Sequence, residues 1–152
     1  MKIIENFVNE EFEKLVLNLI PKKGREKDTR NNILRYGNRK TIGDSFISEN
    51  IPNFFLSIKD FEFDSVSINE YKTGQKIDWH IDMVHNGPII HIISLINEGT
   101  LKFKKGEETK EFLLPRYSLG VMEGELRNEW HHSFIAEKPR VSVVFRKYPF
   151  KK

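Results

Sequence analysis

Apolar residues recur along this chain with two different periods, and the change of period divides it. Near the start, Phe12, Leu15, Val16 and Leu19 follow the i, i+3, i+4, i+7 rule, with Asn9 ahead of them and Pro21 behind. Asn9 is a plausible N-cap, and Glu10, Glu11 and Glu13 suit the positive end of a helix. The pattern predicts an amphipathic helix of about three turns packed outside a sheet. Periodicity then fades over residues 21–50, where Gly24, Gly37 and Gly43 punctuate a polar stretch. Ile33, Leu34, Tyr36, Ile42 and Phe46 are too many apolar groups for a disordered linker, so a hairpin or flap lying on the main body is expected. A second helix is expected over Ser48 to Asp60, with Pro52 in its first turn and Phe54, Phe55 and Ile58 buried.

From Phe63 onward the period falls to two. Val66 and Ile68 alternate with polar residues up to Tyr71, and Lys72-Thr73-Gly74 reads as a turn. Ile89 to Ile96 is a β-branched run ended by Asn97-Glu98-Gly99. Leu101-Lys102-Phe103 and Phe112-Leu113-Leu114 flank a charged hairpin around Gly106. Leu119 to Met122, His132 to Ile135 and Val141 to Phe145 bring the total to about seven or eight short strands. Helices first and strands afterwards predict a mainly β (α+β) protein: a barrel or double-sheet core with one or two flanking N-terminal helices.

Composition changes this picture in three places. The 152 residues suffice for one domain, in which 1–60 form the helical flank and basic flap and 61–152 the β core. There is no cysteine, which removes disulfides and thiolate chemistry. The early glutamates argue against a signal peptide, and no apolar run reaches membrane-spanning length, so a cytoplasmic or other reducing compartment is expected. Net charge is only +3 but unevenly spread. Lys22, Lys23, Arg25, Lys27, Arg30, Arg35, Arg39 and Lys40 face only Glu26 and Asp28 within residues 21–40, a local charge of about +6. That stretch reads either as a footprint for a phosphate backbone or as a solvated loop without a partner.

Candidate chemistry concentrates in two segments. His80-Ile81-Asp82 closes the run that starts at Asn69, and residues i and i+2 of a strand share a face. An imidazole and a carboxylate so placed are two thirds of the two-histidine, one-carboxylate set that holds non-haem Fe(II) and leaves coordination positions open. About fifty residues on, Trp130-His131-His132-Ser133 supplies a third donor, with His131 and His132 as rivals. Arg140 and Arg146 follow on a strand, six apart and hence on one face, their Cα atoms roughly 20 Å apart. Two inward guanidinium groups could close on a small dianion; otherwise one or both lie on a solvated face.

Together with Asn69-x-Tyr71, Ile93-Ser94-Leu95 and Leu119-Gly120-Val121-Met122, these motifs resemble the AlkB-like 2-oxoglutarate/Fe(II) dioxygenases over residues 64–148, and more loosely over 25–60. The resemblance implies a double-stranded β-helix (jelly-roll) core and iron ligands His80, Asp82 and His132, with His131 on the family's aromatic position. It implies that Arg140 grips the far carboxylate of 2-oxoglutarate and that Arg146 lies near the chelating end. Asn69 and Tyr71 would add hydrogen bonds, and Ser142 stands where bacterial members often carry Asn. Fe(II), 2-oxoglutarate and dioxygen follow as cofactor and co-substrates. The implied reaction releases succinate and carbon dioxide and hydroxylates a C–H bond; an N-methyl carbon would leave as formaldehyde. Met83-Val84-His85 replaces the acidic residue that many nucleic-acid demethylases carry after His-x-Asp, and looks closer to members acting on methylated RNA. The leading expectation is therefore oxidative demethylation of N-methylated bases in single-stranded or locally opened nucleic acid, RNA or DNA. Arg35, Tyr36, Val84 and His85 are the substrate-binding candidates, with Tyr36 stacking on a base. The same chemistry on protein side chains or a small molecule is the second reading, and a non-catalytic jelly-roll binding module the third. Nothing in the sequence decides the oligomeric state.

Overall fold

Eleven strands and two helices are found among residues 1–20, 30–40 and 46–148, which the computed structural model describes, without the side chains of residues 39, 40, 46, 47 and 85. In chain order they are β1 (Lys2–Ile4), α1 (Glu10–Leu17), β2 (Asn32–Lys40), β3 (Phe46–Glu49), β4 (Ser65–Tyr71), β5 (Lys76–His80), β6 (Ile89–Leu95) and β7 (Gly99–Lys105). There follow β8 (Glu108–Leu114), β9 (Leu119–Glu123), α2 (Gly124–Asn128), β10 (His131–Ile135) and β11 (Arg140–Arg146). All pairings are antiparallel. One sheet has the order β1-β9-β6-β11-β4-β2-β3 and the other β5-β10-β7-β8. The two face each other as the halves of a jelly roll.

The larger sheet is covered on both sides, and its strands show it. Val141, Val143 and Phe145 of β11 and Ile93 and Leu95 of β6 pack outward with Val16 of α1 and Phe55. Their alternate neighbours Val144, Ile90 and Ile92 turn inward, against Leu101, Phe103 and Phe134 of the smaller sheet. A strand buried on both faces needs apolar groups at every position, which is why 89–95 and 141–145 read as runs rather than as alternation. Where β4, β6 and β11 depart from that rule on the inner face, at Asn69, Ser94, Arg140 and Ser142, they line or support the site described below.

Two expected elements differ. The second helix shrinks to a 3-10 turn, Asn53–Ser57, and Ser48 belongs to β3. Pro52 is extended (φ −51°, ψ 135°), so the chain enters the turn late. Phe55 meets Phe12 and Phe145 edge-on at 5.9 and 5.8 Å, a wedge that one turn suffices to place. The expected flap is a hairpin, β2 with β3, but β2 continues the larger sheet beside β4 rather than lying over it.

Helix α1 starts at Asn9, whose side chain accepts from the Phe12 N–H at 3.0 Å, and is shorter than expected at eight residues. Its Glu13 is buried, not a solvated end-charge. It accepts from Arg116 and, at 2.7 Å, from the backbone N–H of Ile96, a residue held at φ +70°. Pro21 and the basic residues Lys22, Lys23, Arg25 and Lys27 lie outside the described residues.

Candidate active site

β10 pairs with β5 so that His132 stands opposite His80, their ring centroids 4.2 Å apart. Between His132 and Phe134 the partner strand runs from His80 to Ile77, one residue more than β10. That bulge turns both Ile77 and His80 into the interior, although an odd spacing would place them on opposite faces of a regular strand. Asp82 is not on the strand: β5 ends at His80, and the carboxylate reaches the imidazoles from the following loop. The two side chains of His-x-Asp do meet, but by way of a strand end and a loop rather than the shared strand face expected of them.

Asp82 Oδ1 lies 3.2 Å from His80 Nε2 and 3.5 Å from His132 Nε2, and one donor atom from each residue falls within 4.8 Å of the others. The Nδ1 of His80 is 2.6 Å from the Asp78 carbonyl; donating there, it leaves the Nε2 lone pair turned inward. Burial by itself would raise the Asp82 carboxyl. The Arg146 charge beside it, the His80 hydrogen bond, the nearby His132 and the Arg146 hydrogen bond together hold it far below the usual carboxylate range. Burial lowers His132 to about 4, so this imidazole is neutral at pH 7, as a metal ligand must be. His80 is raised, chiefly by its hydrogen bond to Asp82, a shift that a cation at Nε2 would reverse. A neutral imidazole, a second whose proton a cation would displace and an ionised carboxylate, converging on one point, fit a divalent transition metal.

The rest of the site is a cavity of about 70 Å³ running between the sheets from this cluster to Arg140. At the cluster end Arg146 donates to Asp82 Oδ2 at 2.9 Å, leaving Oδ1 to the histidines. At the far end Arg140 is buried over the Phe134 ring, 4.5 Å from its centroid, and donates from Nε to Ser94 Oγ at 3.0 Å. Gly99 makes this seat possible, because a Cβ there would stand 2.4 Å from Arg140 Nε. Arg140 Nη2 is buried with no hydrogen-bond partner among the described residues, and burial pulls the guanidinium down to about 10. A dry cation with one bare nitrogen, on a residue lining a cavity, fits a carboxylate from solution. Asn69, Tyr71 and Ser142 line the wall between the ends, with Asn69 Nδ2 3.5 Å from Ser142 Oγ.

The substrate candidates are less well gathered. Tyr36 packs with Leu34 on the helix-side cluster, away from the cavity. Arg35, opposite Ser67, is on the inner side of the sheet by register but does not line the cavity. Val84 is 87 % exposed in a short turn beyond Asp82, and the side chain of His85 lies outside the described residues. His131 is exposed, on the opposite face of β10 from His132. Two residues outside the candidate site residues of the sequence reading belong here. Arg30 lines the cavity and donates to Asn69 Oδ1 at 3.0 Å, and Arg127 is wholly buried behind the Asp82 loop. Arg30 was hidden in a basic run; Arg127, in the polar stretch Glu123 to Glu129, gave no signal at all.

Comparison with known proteins bears on this geometry. Residues 6–146 match the model of the 2OG-Fe(II) oxygenase superfamily. Over 105 residues, 67 % of the chain, it is 35 % identical to the tRNA (carboxymethyluridine(34)-5-O)-methyltransferase ALKBH8 of Macaca fascicularis, and it spans 15 % of that protein's length. The solved structure of OsALKBH1 superposes with a TM-score of 0.74 at 12 % identity, covering 96 % of each chain, a likeness of fold.

Proposed function

The chain belongs to the 2OG-Fe(II) oxygenase superfamily, on its AlkB-like branch, and on that premise we propose that it is an oxidative demethylase of N-methylated bases in nucleic acid. It is a 2-oxoglutarate/Fe(II)-dependent dioxygenase, with Fe(II), 2-oxoglutarate and dioxygen as its cofactor and co-substrates. These supply oxidative decarboxylation to succinate and carbon dioxide, coupled to hydroxylation of a substrate C–H bond. In this reading His80, Asp82 and His132 hold the iron, and Arg146 keeps Asp82 ionised and turned so that Oδ1 faces the imidazoles. Arg140 takes the far carboxylate of 2-oxoglutarate, aided by Asn69, Tyr71 and Ser142 along the wall. Ile90, Ile92, Met122 and Phe134 keep the cavity wall apolar, which strengthens each of these charge contacts. An N-methyl carbon hydroxylated here gives a hemiaminal, which collapses to formaldehyde and the free amine.

The observation that carries the reading is the bare Nη2 of Arg140, a residue that lines the same cavity as the His-Asp-His cluster. Nucleic acid as substrate is supported by the tRNA-directed activity in the relative's name and by the basic residues 30–40 on the strand beside β4. The place of Tyr36 on the helix side favours a second reading, in which a protein side chain or small molecule is oxidised. The two separate by succinate release with Fe(II) and 2-oxoglutarate over methylated single-stranded oligonucleotides and methylated peptides. Stimulation by oligonucleotides with formaldehyde release is expected. Stimulation by peptides alone would transfer the proposal to the second reading.

A further inference from the structure

Arg127 heads the fully buried side chains of the described residues by size, 1 % exposed, yet all its hydrogen bonds go to backbone carbonyls. Nη1 donates to Asp82 O at 2.7 Å. Nη2 donates to Met83 O at 2.7 Å and to Gly87 O at 2.9 Å, and Nε also reaches Gly87 O, at 3.1 Å. One planar fork thus spans both ends of the loop 82–87. The loop has little else inside it: a single turn, with Asn86 N–H on Met83 O and Gly87 N–H on Val84 O. Its far end is fitted closely, since Gly87 is at φ +91° and a Cβ there would meet Lys147 O at 2.2 Å.

An apolar side chain of equal volume would leave the Asp82 and Gly87 carbonyls unsatisfied in a dry place, and a lysine has its donors on one atom and cannot span the loop. Asp82 is consequently held by two arginines: Arg146 on its carboxylate, Arg127 on its main-chain carbonyl. Arg127 also sits on α2, the segment that leads into β10 and His132.

We propose that Arg127 is a positioning residue for the metal centre. It fixes the main chain at Asp82 so that the carboxylate stands against His80 and His132 before any metal arrives, and it ties the arm bearing two donors to the segment bearing the third. The inference rests on the assignment of His80, Asp82 and His132 as metal ligands. Groups that hold a ligand in place are worth about 10- to 100-fold in metal affinity.

Mn(II) titration of the metal-free protein, with neither co-substrate nor substrate, tests it against Arg127→Met, Arg127→Lys and His132→Ala. Tight, His132-dependent binding is expected in the wild type, and a Kd about 10- to 100-fold weaker in both Arg127 variants, the lysine giving no rescue. Guanidinium ion at millimolar concentration should recover part of the affinity in Arg127→Ala, and equal ammonium none. Binding indifferent to His132 would overturn the ligand assignment itself. Binding that depends on His132 but is unchanged in Arg127→Met would overturn the positioning role alone and leave Arg127 a structural plug. If the variants fail to fold, amide exchange at Asn86 and Gly87 in the wild type decides. Slow exchange already present without metal supports a preset loop, and protection gained only on adding Mn(II) refutes it.

Discussion

The two ends of the cavity carry the same residue on the same face of the same strand, in opposite electrostatic states. Arg146 is part of a finished ion pair, its guanidinium on Asp82 Oδ2 and the other carboxylate oxygen on the histidines. Arg140 is half of a pair: a serine hydroxyl and an aromatic face support it, no carboxylate among the described residues touches it, and Nη2 is bare. The Arg146 end is internally balanced and belongs to the protein's own stability. The Arg140 end carries an unpaid desolvation cost, which a ligand carboxylate relieves on binding.

The sharpest way to break this contrast is to remove each guanidinium in turn. Arg146→Met strands a buried carboxylate, and stability of the metal-free protein by chemical denaturation should fall by about 3–5 kcal/mol. Arg140→Met should leave stability unchanged or higher while weakening 2-oxoglutarate about 10- to 150-fold, the equivalent of about 1.5–3 kcal/mol. Equal destabilisation by both, with an unaltered co-substrate dependence, would erase the distinction.

Support for the far end can be sharpened through Glu13, which holds the Ile96 N–H in the turn between Ser94 and Gly99. Burial pushes the Glu13 carboxyl up, but Arg116 and that N–H outweigh it and leave it below its ordinary value of 4.5. A depressed folded value means that the stabilisation is complete above the unfolded value and is lost as pH falls through the lower folded one. Glu13→Gln should thus cost about 1–3 kcal/mol at neutral pH, and the gap from wild type should close on acidification through that range. The smallest effect is expected for Gly99→Ala, whose methyl displaces Arg140: a rise of about three- to tenfold in the 2-oxoglutarate requirement, up to about 1.4 kcal/mol, with metal affinity untouched.

Legibility in the sequence followed the physics of each element. The strands from β4 onward were readable because burial on one or two faces leaves a period. That His80, Asp82, His132, Arg140 and Arg146 would gather at one cavity was readable because few other arrangements need those types in that order. Arg127 was not, since a charged residue between Glu125 and Glu129 looks solvated, and only the carbonyls of a distant loop show its use. Tyr36 misled because a strand at the flank of a sheet offers two faces, and position alone does not say which one meets the cavity. The supposed helix over 48–60 failed because its aromatic residues serve as a wedge, which carries no helical period.

Among the described strands, the one bearing both arginines comes latest in the chain, and it lies in the middle of the larger sheet, between β6 and β4. Until it emerges from the ribosome, β1-β9-β6 and β4-β2-β3 are two half-sheets, each with an open edge facing the same empty slot. His80, Asp82 and His132 are synthesised earlier, so the candidate cluster precedes the strand whose Arg146 pairs with its carboxylate. Closure and competence therefore arrive in one step, made by pairings of long sequence separation and correspondingly slow. A gap one strand wide is also the geometry of donor-strand complementation: a peptide of residues 137–148 supplied to a chain lacking them would restore the sheet and both arginines together.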